Sequence, residues 1–498
     1  MKPALIFEAF LGAAPRWYKL TVLLFLLLNP LALLSLGATV AGWLVLLEFI
    51  FILAMTLHCY PLQPGGLLAL EAVLMGMTDA AHVYAEVVRG FPVILLLIFM
   101  LAAVYFMRDV LLATFTRLLL AVRSKALLAL LFCGVTAVLS AFLDALTVLA
   151  VVIAVGAGFY WVYRGVADGA TQAADAAPAT DASVAASSTQ DLETFRAFLR
   201  GLMMHAAVGT ALGGVCTLVG EPQNLLVGER AGWDFAEFFL KVAPVSIPVL
   251  ISGLALSLLL ERLQWFGYGA LLPDAAREAL VAWSRNEAAR RSAAQRWRLW
   301  VQGLAGLVMV AALAFHVAQI GLIGLLVLVL VTAFSGVIEE QRLGEAFRDA
   351  LPFTALIVVF FAIVSLINVQ NLFAPVMEHV LALEGRERLA MFYLANGALS
   401  SISDNVFVAT LFIHEIERPF AAGALTREQF EALAIALNAG VNIPSIATPN
   451  GQAAFLFLLS SSLAPLIRLS YLRMVWMALP YFVVTTIVGL LAVLQLAG

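Results

Sequence analysis

The stretch "SSISDNVFVAT" (residues 400–410) places an acid, Asp404, between Ser403 and Asn405 at the start of an apolar run. Hydrophobic residues make up 63% of the 498 residues, and only 12% are charged. The mean hydropathy is +1.00. A soluble domain carries roughly 25% charged residues, so this composition predicts a polytopic membrane protein. An acid in such a chain needs a partner or a role, because an ionisable side chain costs about 2.5–3.5 kcal/mol at bilayer depth.

Apolar runs long enough to cross the bilayer recur along the chain and predict an all-α protein of about eleven or twelve spans. Examples are 21–36, 38–57, 240–261, 299–316, 318–337, 351–371 and 474–497. We expect an uncleaved first helix and a cytoplasmic N-terminus. The parity of crossings then requires one further span within 64–88, although that segment contains three acids.

The small net charge of −4 offers no basic patch for nucleic acid, so the expected partners are membrane lipid and small solutes. Three isolated cysteines form no C-x-x-C pair and predict neither a zinc site nor redox chemistry.

Two polar interruptions divide the chain. Residues 166–195 are rich in Ala, Ser, Thr and Asp and predict a flexible loop. Residues 262–298 contain seven arginines and predict a cytoplasmic linker by the positive-inside rule. The chain therefore divides into an N-terminal half, 1–261, and a C-terminal half, 299–498.

The two halves contain matching motifs in the same order. "SAFLDALTVLAVV" (140–152) has the Ser-x-x-x-Asp pattern of "SSISDNVFVATLF" (400–412), so Asp144 matches Asp404. A helix-breaking stretch follows each motif, "GGVCTLVGEPQNLLVG" (213–228) and "AGVNIPSIATPNGQAAF" (439–455). Irregular backbone at membrane depth is tolerated only where protein or a cavity surrounds it.

This order predicts two repeats, each with a re-entrant hairpin and a broken helix. The hairpins cover 126–163 and 390–414, with the acids at their tips, and the broken helices lie around 215–228 and 440–455. Counting crossings brings the second hairpin in from the opposite face, so the repeats are expected to be inverted.

Carboxylate, hydroxyl and carbonyl oxygens at these interruptions are the ligands that a hard cation prefers. The candidate cation and proton ligands are Ser140, Asp144, Glu221 and Asn224 in the first half, and Ser403, Asp404, Asn405, Thr448 and Asn450 in the second. The alternative is that these side chains cap the short helices on either side of each tip.

A buried carboxylate can exchange a proton for Na⁺, so Asp144 and Asp404 are the expected Na⁺-binding acids. Asp144 lies between Leu143 and Ala145, which predicts that it is the more desolvated of the two. Glu221 precedes Pro222, so an exchange role and a structural role at the helix break both stay open.

At these motifs the sequence resembles the bacterial NhaB family of Na⁺/H⁺ antiporters over nearly the whole chain. The resemblance rests on the following segments: "RWYK" (16–19), "NPL" (29–31), "LSAFLDALTVLAV" (139–151), "GEPQNLLV" (220–227), "SSISDNVFVATLFI" (400–413) and "NIPSIATPNGQAAFLF" (442–457). It implies electrogenic extrusion of Na⁺, and of Li⁺, in exchange for H⁺ across the bacterial inner membrane. It also implies inverted repeats, a homodimer, alternating access and no cofactor beyond the transported ions.

A sodium-coupled symporter of an anionic solute such as a dicarboxylate is the main alternative. Two carboxylates near the site repel an anion and attract a cation, so the charge pattern favours antiport. An intramembrane enzyme would need a nucleophile with a nearby base, and no histidine lies close in sequence to Ser140 or Ser403.

Overall fold

The structure is a computed structural model that describes residues 3–167 and 186–497, and these residues form helices and no strands. The helices before the first tip are α1 (Pro3–Ala9), α2 (Arg16–Leu36), α3 (Ala38–Ala54), α4 (Leu62–Leu74), α5 (Ala80–Arg89), α6 (Phe91–Leu95), α7 (Leu101–Tyr105), α8 (Arg108–Ala121) and α9 (Lys125–Ser140). A π-helical turn, Leu96–Met100, joins α6 to α7.

The middle of the chain contains α10 (Ala145–Ala167), α11 (Ala186–Gly214), α12 (Pro222–Ala231), α13 (Phe235–Leu263), α14 (Asp274–Arg290), α15 (Ala293–Ala314), α16 (Ile320–Ser335), α17 (Glu340–Val369) and α18 (Ala374–Ala382). The last part contains α19 (Gly385–Ser400), α20 (Asn405–Ala421), α21 (Arg427–Asn442), α22 (Ala453–Ser460), α23 (Leu463–Leu466) and α24 (Tyr471–Leu494). Short 3₁₀ turns cover Pro444–Ala447 and Gln495–Ala497.

Among the described residues, seven helices are long and apolar enough to cross a membrane, or eight if one bent pair is a single span. Four shorter apolar helices, α3, α4, α9 and α16, accompany them. In a helix the backbone N–H and C=O groups bond to one another within the segment. A helix can therefore cross lipid, which offers these groups no hydrogen-bond partners. The prediction of an all-α polytopic membrane protein is confirmed.

The predicted span within 64–88 is wrong as a single helix. The chain turns between α4 and α5, where Gly76 has a φ of +69°. Asp79 then caps α5 by accepting a hydrogen bond from the His82 amide. Gly76 and Asp79 therefore end one helix and start the next, although most residues of the segment are apolar. The membrane-length segment is instead α5 with the continuous α6–α7 region, bent by 61° between Arg89 and Phe91.

The predicted flexible loop at 166–195 is wrong at both ends. Helix α10 continues to Ala167, and α11 begins at Ala186. Leu192 and Phe195 are buried, so the apolar face of α11 starts before the predicted loop ends. The rest of that prediction, 168–185, lies outside the described residues.

The helices pack in two groups, each of which takes helices from both halves of the sequence. Helices α2 to α7 pack with one another and with α16 and α17. The helices that carry the predicted tips and breaks form the other group, in which α9 packs on α11 as α19 packs on α21. Helix α12 contacts α20 and α22 contacts α10, so each half supports the hairpin of the other.

Candidate functional site

The first tip lies between α9 and α10 and ends at Asp144, as predicted. Asp144 is 7% exposed. Its Oδ2 accepts a hydrogen bond from the Thr147 amide at 3.2 Å and lies 3.5 Å from the Thr147 hydroxyl. The carboxylate therefore caps the start of α10 while it lies in the buried tip.

The second tip has the same form between α19 and α20. Asp404 is the N-cap of α20, and its Oδ1 accepts hydrogen bonds from the amides of Val406 at 2.8 Å and Phe407 at 3.3 Å. Asp404 is partly exposed, whereas Asp144 is buried. The capping alternative therefore holds for both acids, and the greater desolvation of Asp144 stays a prediction.

Both predicted helix breaks are present. Helix α11 ends at Gly214 and α12 begins at Pro222, while α21 ends at Asn442 and α22 begins at Ala453. The seven residues between α11 and α12 are buried. Proline at N1 of α12 needs no hydrogen bond to its nitrogen, which suits a helix that starts inside the protein.

Each break is joined to the neighbouring tip by the same contacts. The Thr217 hydroxyl donates to the Ala141 carbonyl, and the Thr448 hydroxyl donates to the Ser401 carbonyl. Thr217 Oγ1 also accepts a hydrogen bond from the Gly220 amide at 3.3 Å, and Thr448 Oγ1 accepts one from the Gly451 amide at 3.1 Å. Thr448 thus serves as a structural contact, and Thr217 is its counterpart in the first half.

A glycine lets the backbone of each break approach its tip. A Cβ atom on Gly220 would lie 2.8 Å from the Ser140 carbonyl oxygen, and one on Gly451 would lie 2.8 Å from the Ser400 carbonyl oxygen. Glu221 follows the first glycine and Gln452 follows the second. The two breaks therefore place an acid and an amide at corresponding positions.

Glu221 is buried next to both tips. Its carboxyl interacts electrostatically with Asp144 and with Asp404. Tyr60, in the turn after α3, also interacts electrostatically with Asp404. Within residues 3–167 and 186–497, no three His, Cys, Asp or Glu side chains are grouped closely enough to hold a metal ion together. A cation bound here would therefore need neutral oxygen ligands besides the acids.

A buried amide network joins the two breaks. Asn224 donates through Nδ2 to the carbonyls of Gly214 and Thr217, at 2.7 Å each. Its Oδ1 accepts from Asn442 Nδ2 at 2.9 Å. Gln223 Nε2 donates to Asn442 Oδ1 at 2.6 Å, so two neighbouring side chains of α12 bind one residue of α21. The network satisfies carbonyls that the end of α11 leaves without helical partners.

The remaining predicted ligands are not all brought together. Ser403 donates to the Leu399 carbonyl at 2.8 Å and closes its own turn. Asn450 Nδ2 donates to the Ala54 carbonyl at 2.5 Å, which links the second break to α3. Asn405 accepts from the Ser400 hydroxyl at the base of the second tip.

Two predicted oxygen ligands have no hydrogen-bond partner. Ser140 Oγ and Asn450 Oδ1 are buried and unpaired. A buried polar atom without a partner is costly and calls for an explanation. Both atoms are of the type that a hard cation binds.

The sequence reasoning missed several residues of this region. Asn438 and Asn442 lie four residues apart in the apolar segment "LAIALNAGVN", a spacing that puts both on one helix face and could have revealed them. Thr217 and Gln452 could have been found by aligning the two breaks on their glycines. Tyr60 had no signal in the sequence.

The comparison with known families agrees with this geometry. The family described as "Bacterial Na+/H+ antiporter B (NhaB)" matches residues 1–497. The chain belongs to the NhaB family. A relative from Pseudomonas putida named "Na(+)/H(+) antiporter NhaB" is 59% identical over 477 residues, covering 96% of this chain and 95% of the relative.

Two other relatives in the NhaB family have the same name and a similar identity to this chain. The one from Pseudomonas fluorescens is 60% identical over 484 residues, 97% of each chain. The one from Marinobacter nauticus is 58% identical over 482 residues, 97% of this chain and 96% of the relative.

Proposed function

We propose that this protein is a Na⁺/H⁺ antiporter. The observation that carries the proposal is the family match over residues 1–497, with relatives named as Na⁺/H⁺ antiporters at close to 60% identity. The tips and breaks support it, because they gather carboxylates inside a membrane protein. Transport of this kind is not an enzymatic reaction and uses no cofactor beyond the exchanged ions.

Asp144, Glu221 and Asp404 are proposed to be the acids that hold either a cation or a proton. Asp144 is the most buried of the two tip acids, and Glu221 interacts with both. Neutral ligands are the unpaired oxygens of Ser140 and Asn450. Ser403, Asn405, Thr448 and Asn224 hold the tips and breaks in place through the bonds described above. Na⁺ and H⁺ then exclude each other because they compete for the same carboxylates.

The two halves, 1–261 and 299–498, are proposed to contain inverted repeats joined by the cytoplasmic linker 262–298. The matching contacts of Thr217 and Thr448 with the neighbouring tips support equivalence of the repeats. Arginines in the linker support its cytoplasmic side and, by parity, a cytoplasmic N-terminus. The hairpins would then be re-entrant and enter from opposite faces.

In this arrangement the protein lies in the bacterial inner membrane and exchanges ions by alternating access. The same proposal includes electrogenic exchange, transport of Li⁺ and a homodimeric assembly, which rest on the resemblance to the family. About eleven or twelve membrane segments are part of the same proposal, a number that counts the shorter apolar helices and the arms of the hairpins with the long helices.

The proposal is tested by replacing Asp144 with Asn and measuring proton movement in everted vesicles. A dye that is quenched by an acidic interior should regain fluorescence when Na⁺ is added to wild-type vesicles, with no organic anion present. We expect Asp144→Asn to abolish this response, because the amide can neither release a proton nor neutralise Na⁺.

Asp274→Asn is the matched control, since Asp274 is exposed at the start of α14. It should retain the response of the wild type, with membrane levels of both variants checked by immunoblot. Full exchange in the Asp144→Asn variant would refute the assigned role. A requirement for a dicarboxylate would refute antiport itself.

A further inference from the structure

A second polar cluster lies away from the tips, in the helices nearest the N-terminus. Asn29 of α2 donates through Nδ2 to Glu48 Oε2 of α3 and to Glu71 Oε2 of α4, at 2.8 Å in each case. Asn29 is completely buried and Glu48 is 3% exposed, while Glu71 is partly exposed. Neither acid belongs to the tips or the breaks.

The cluster has two acids and no basic partner. Within the ranges that the structure describes, Glu48 and Glu71 form no ion pair, and their only interacting side chains are Asn29 and each other. One neutral amide cannot compensate two carboxylates in a low-dielectric site, and like charges there repel. Unless a proton neutralises one of the carboxyls, at least one positive charge is therefore needed for the pair to stay buried together.

The helices packed on α3 do not supply that charge. Lys19, near the start of α2, donates instead to the carbonyls of Glu8 and Gly12. Glu71 is the one ionisable residue of α4, and every charged residue of α17 precedes or coincides with position 349. Arg16 and Tyr18 are the other titratable groups on α2, and both are more than two turns away from Asn29 along the helix.

Two oxygens of the cluster have no partner. Glu48 Oε1 and Asn29 Oδ1 are both buried without a hydrogen bond. They are the atoms that a hard cation would bind, and an unpaired buried acceptor is otherwise rare. The cluster therefore combines missing positive charge with free carboxylate and amide oxygens.

We infer that Asn29, Glu48 and Glu71 form a second cation site, which binds one Na⁺ ion in competition with a proton. When Na⁺ enters, it replaces the proton on the carboxyl pair, and that proton leaves to solvent, so charge is balanced. The inference rests on the proposed antiport only for the identity of the metal cation. The site is distinct from the one formed around Asp144.

Equilibrium binding of radioactive Na⁺ to the purified full chain in detergent tests this inference. We expect Glu48→Gln and Glu71→Gln each to bind one Na⁺ fewer per chain at saturation than the parent protein. The Glu48→Gln and Glu71→Gln changes are also made in an Asp144→Asn background. There, the loss of one bound Na⁺ does not depend on the site around Asp144. Acidification should lower Na⁺ binding at this site in the parent protein.

Glu237→Gln is the matched control, because Glu237 is exposed and Gln can replace it in the capping box of α13. Its Na⁺ count should equal that of the parent. Thermal unfolding verifies that each variant is folded, and the partly exposed Glu71 provides a second variant if Glu48→Gln is unstable. An unchanged Na⁺ count in a folded Glu71→Gln protein would overturn the inference. If the proposed antiport alone is wrong, Na⁺ will cause no proton movement in vesicles. The purified protein will still bind Na⁺ at Asn29, Glu48 and Glu71.

Discussion

Ser140 and Ser400 occupy matching places at the ends of α9 and α19, but their hydroxyls differ in what they contact. The Ser400 hydroxyl donates to Asn405 Oδ1 and also lies 2.7 Å from the Val441 carbonyl oxygen. The Ser140 hydroxyl is equally buried and has no partner. At the residue scale, one serine holds a tip together and the other is the proposed ion ligand.

The two serines should therefore respond differently to replacement by alanine. Ser140→Ala should raise the Na⁺ concentration for half-maximal exchange several-fold and leave thermal stability unchanged, because it removes an ion ligand and no hydrogen bond. Ser400→Ala should destabilise the protein by roughly 1–3 kcal/mol, because it leaves buried acceptors unpaired. Vesicle exchange and thermal unfolding of the purified proteins measure both effects, and equal stability losses would contradict the distinction.

At the element scale, the helix breaks depend on backbone packed against backbone. A Cβ on Gly220 would lie 2.3 Å from the Gly214 carbonyl oxygen, and a Cβ on Gly451 would lie 2.5 Å from the Ser445 carbonyl oxygen. Real Cβ atoms do not approach this closely, and a backbone carbonyl cannot rotate away as a side chain can. A methyl group would therefore force the backbone apart within each break, and its 2.8 Å contact with the Ser140 or Ser400 carbonyl oxygen would also move the break away from its tip.

We expect Gly220→Ala and Gly451→Ala each to lower exchange at least tenfold and to reduce thermal stability, because either methyl group separates a break from its tip. Gly158→Ala is the control, since Gly158 lies inside α10 with no atom within 4 Å of an added Cβ. That change should be neutral or stabilising by up to about 1 kcal/mol, because alanine favours helix over glycine. Wild-type exchange in Gly220→Ala would show that the close approach is dispensable.

The elements around the site were largely predictable because their signals are local. The Ser-x-x-x-Asp repeat and Pro222 mark tips and breaks within a few residues. The contact between Asn224 and Asn442 joins side chains 218 positions apart, and no local pattern contains it. The turn after α4 was missed because apolar residues outnumber the turn and capping residues Gly76 and Asp79 in that segment.

At the scale of the whole molecule, contacts cross between the two groups of helices. Asn450 at the second break donates to the Ala54 carbonyl at the end of α3. Elsewhere, His414 of α20 has its Nε2 2.9 Å from Glu86 Oε2 of α5 and 3.0 Å from Arg230 Nη2 of α12. If the tips and breaks move during exchange, these contacts must form and break in each cycle.

A cross-link between the two groups should therefore stop exchange. We expect Glu86→Cys with His414→Cys, joined by a short thiol cross-linker in a background without the native cysteines, to lose exchange and to regain it when a reducible linker is cleaved. Lys241→Cys with Glu431→Cys is the control, because Lys241 Nζ and Glu431 Oε2 lie 2.5 Å apart between α13 and α21, and α13 also packs on α9 and α11 of the same group. Exchange that persists in the fully cross-linked first pair would argue against relative motion there.

The two breaks place Glu221 and Gln452 at corresponding positions, so an ionisable group is present in one break and absent from the other. Exchanging the positions of the two breaks would then carry net charge through part of the membrane field unless an ion or proton neutralises Glu221. One elementary charge crossing the whole field corresponds to about 2.3 kcal/mol per 100 mV. If exchange proceeds by the proposed alternating access, the membrane potential would therefore bias a carrier with ionised Glu221 toward one side more strongly than a carrier in which an ion or proton neutralises this acid.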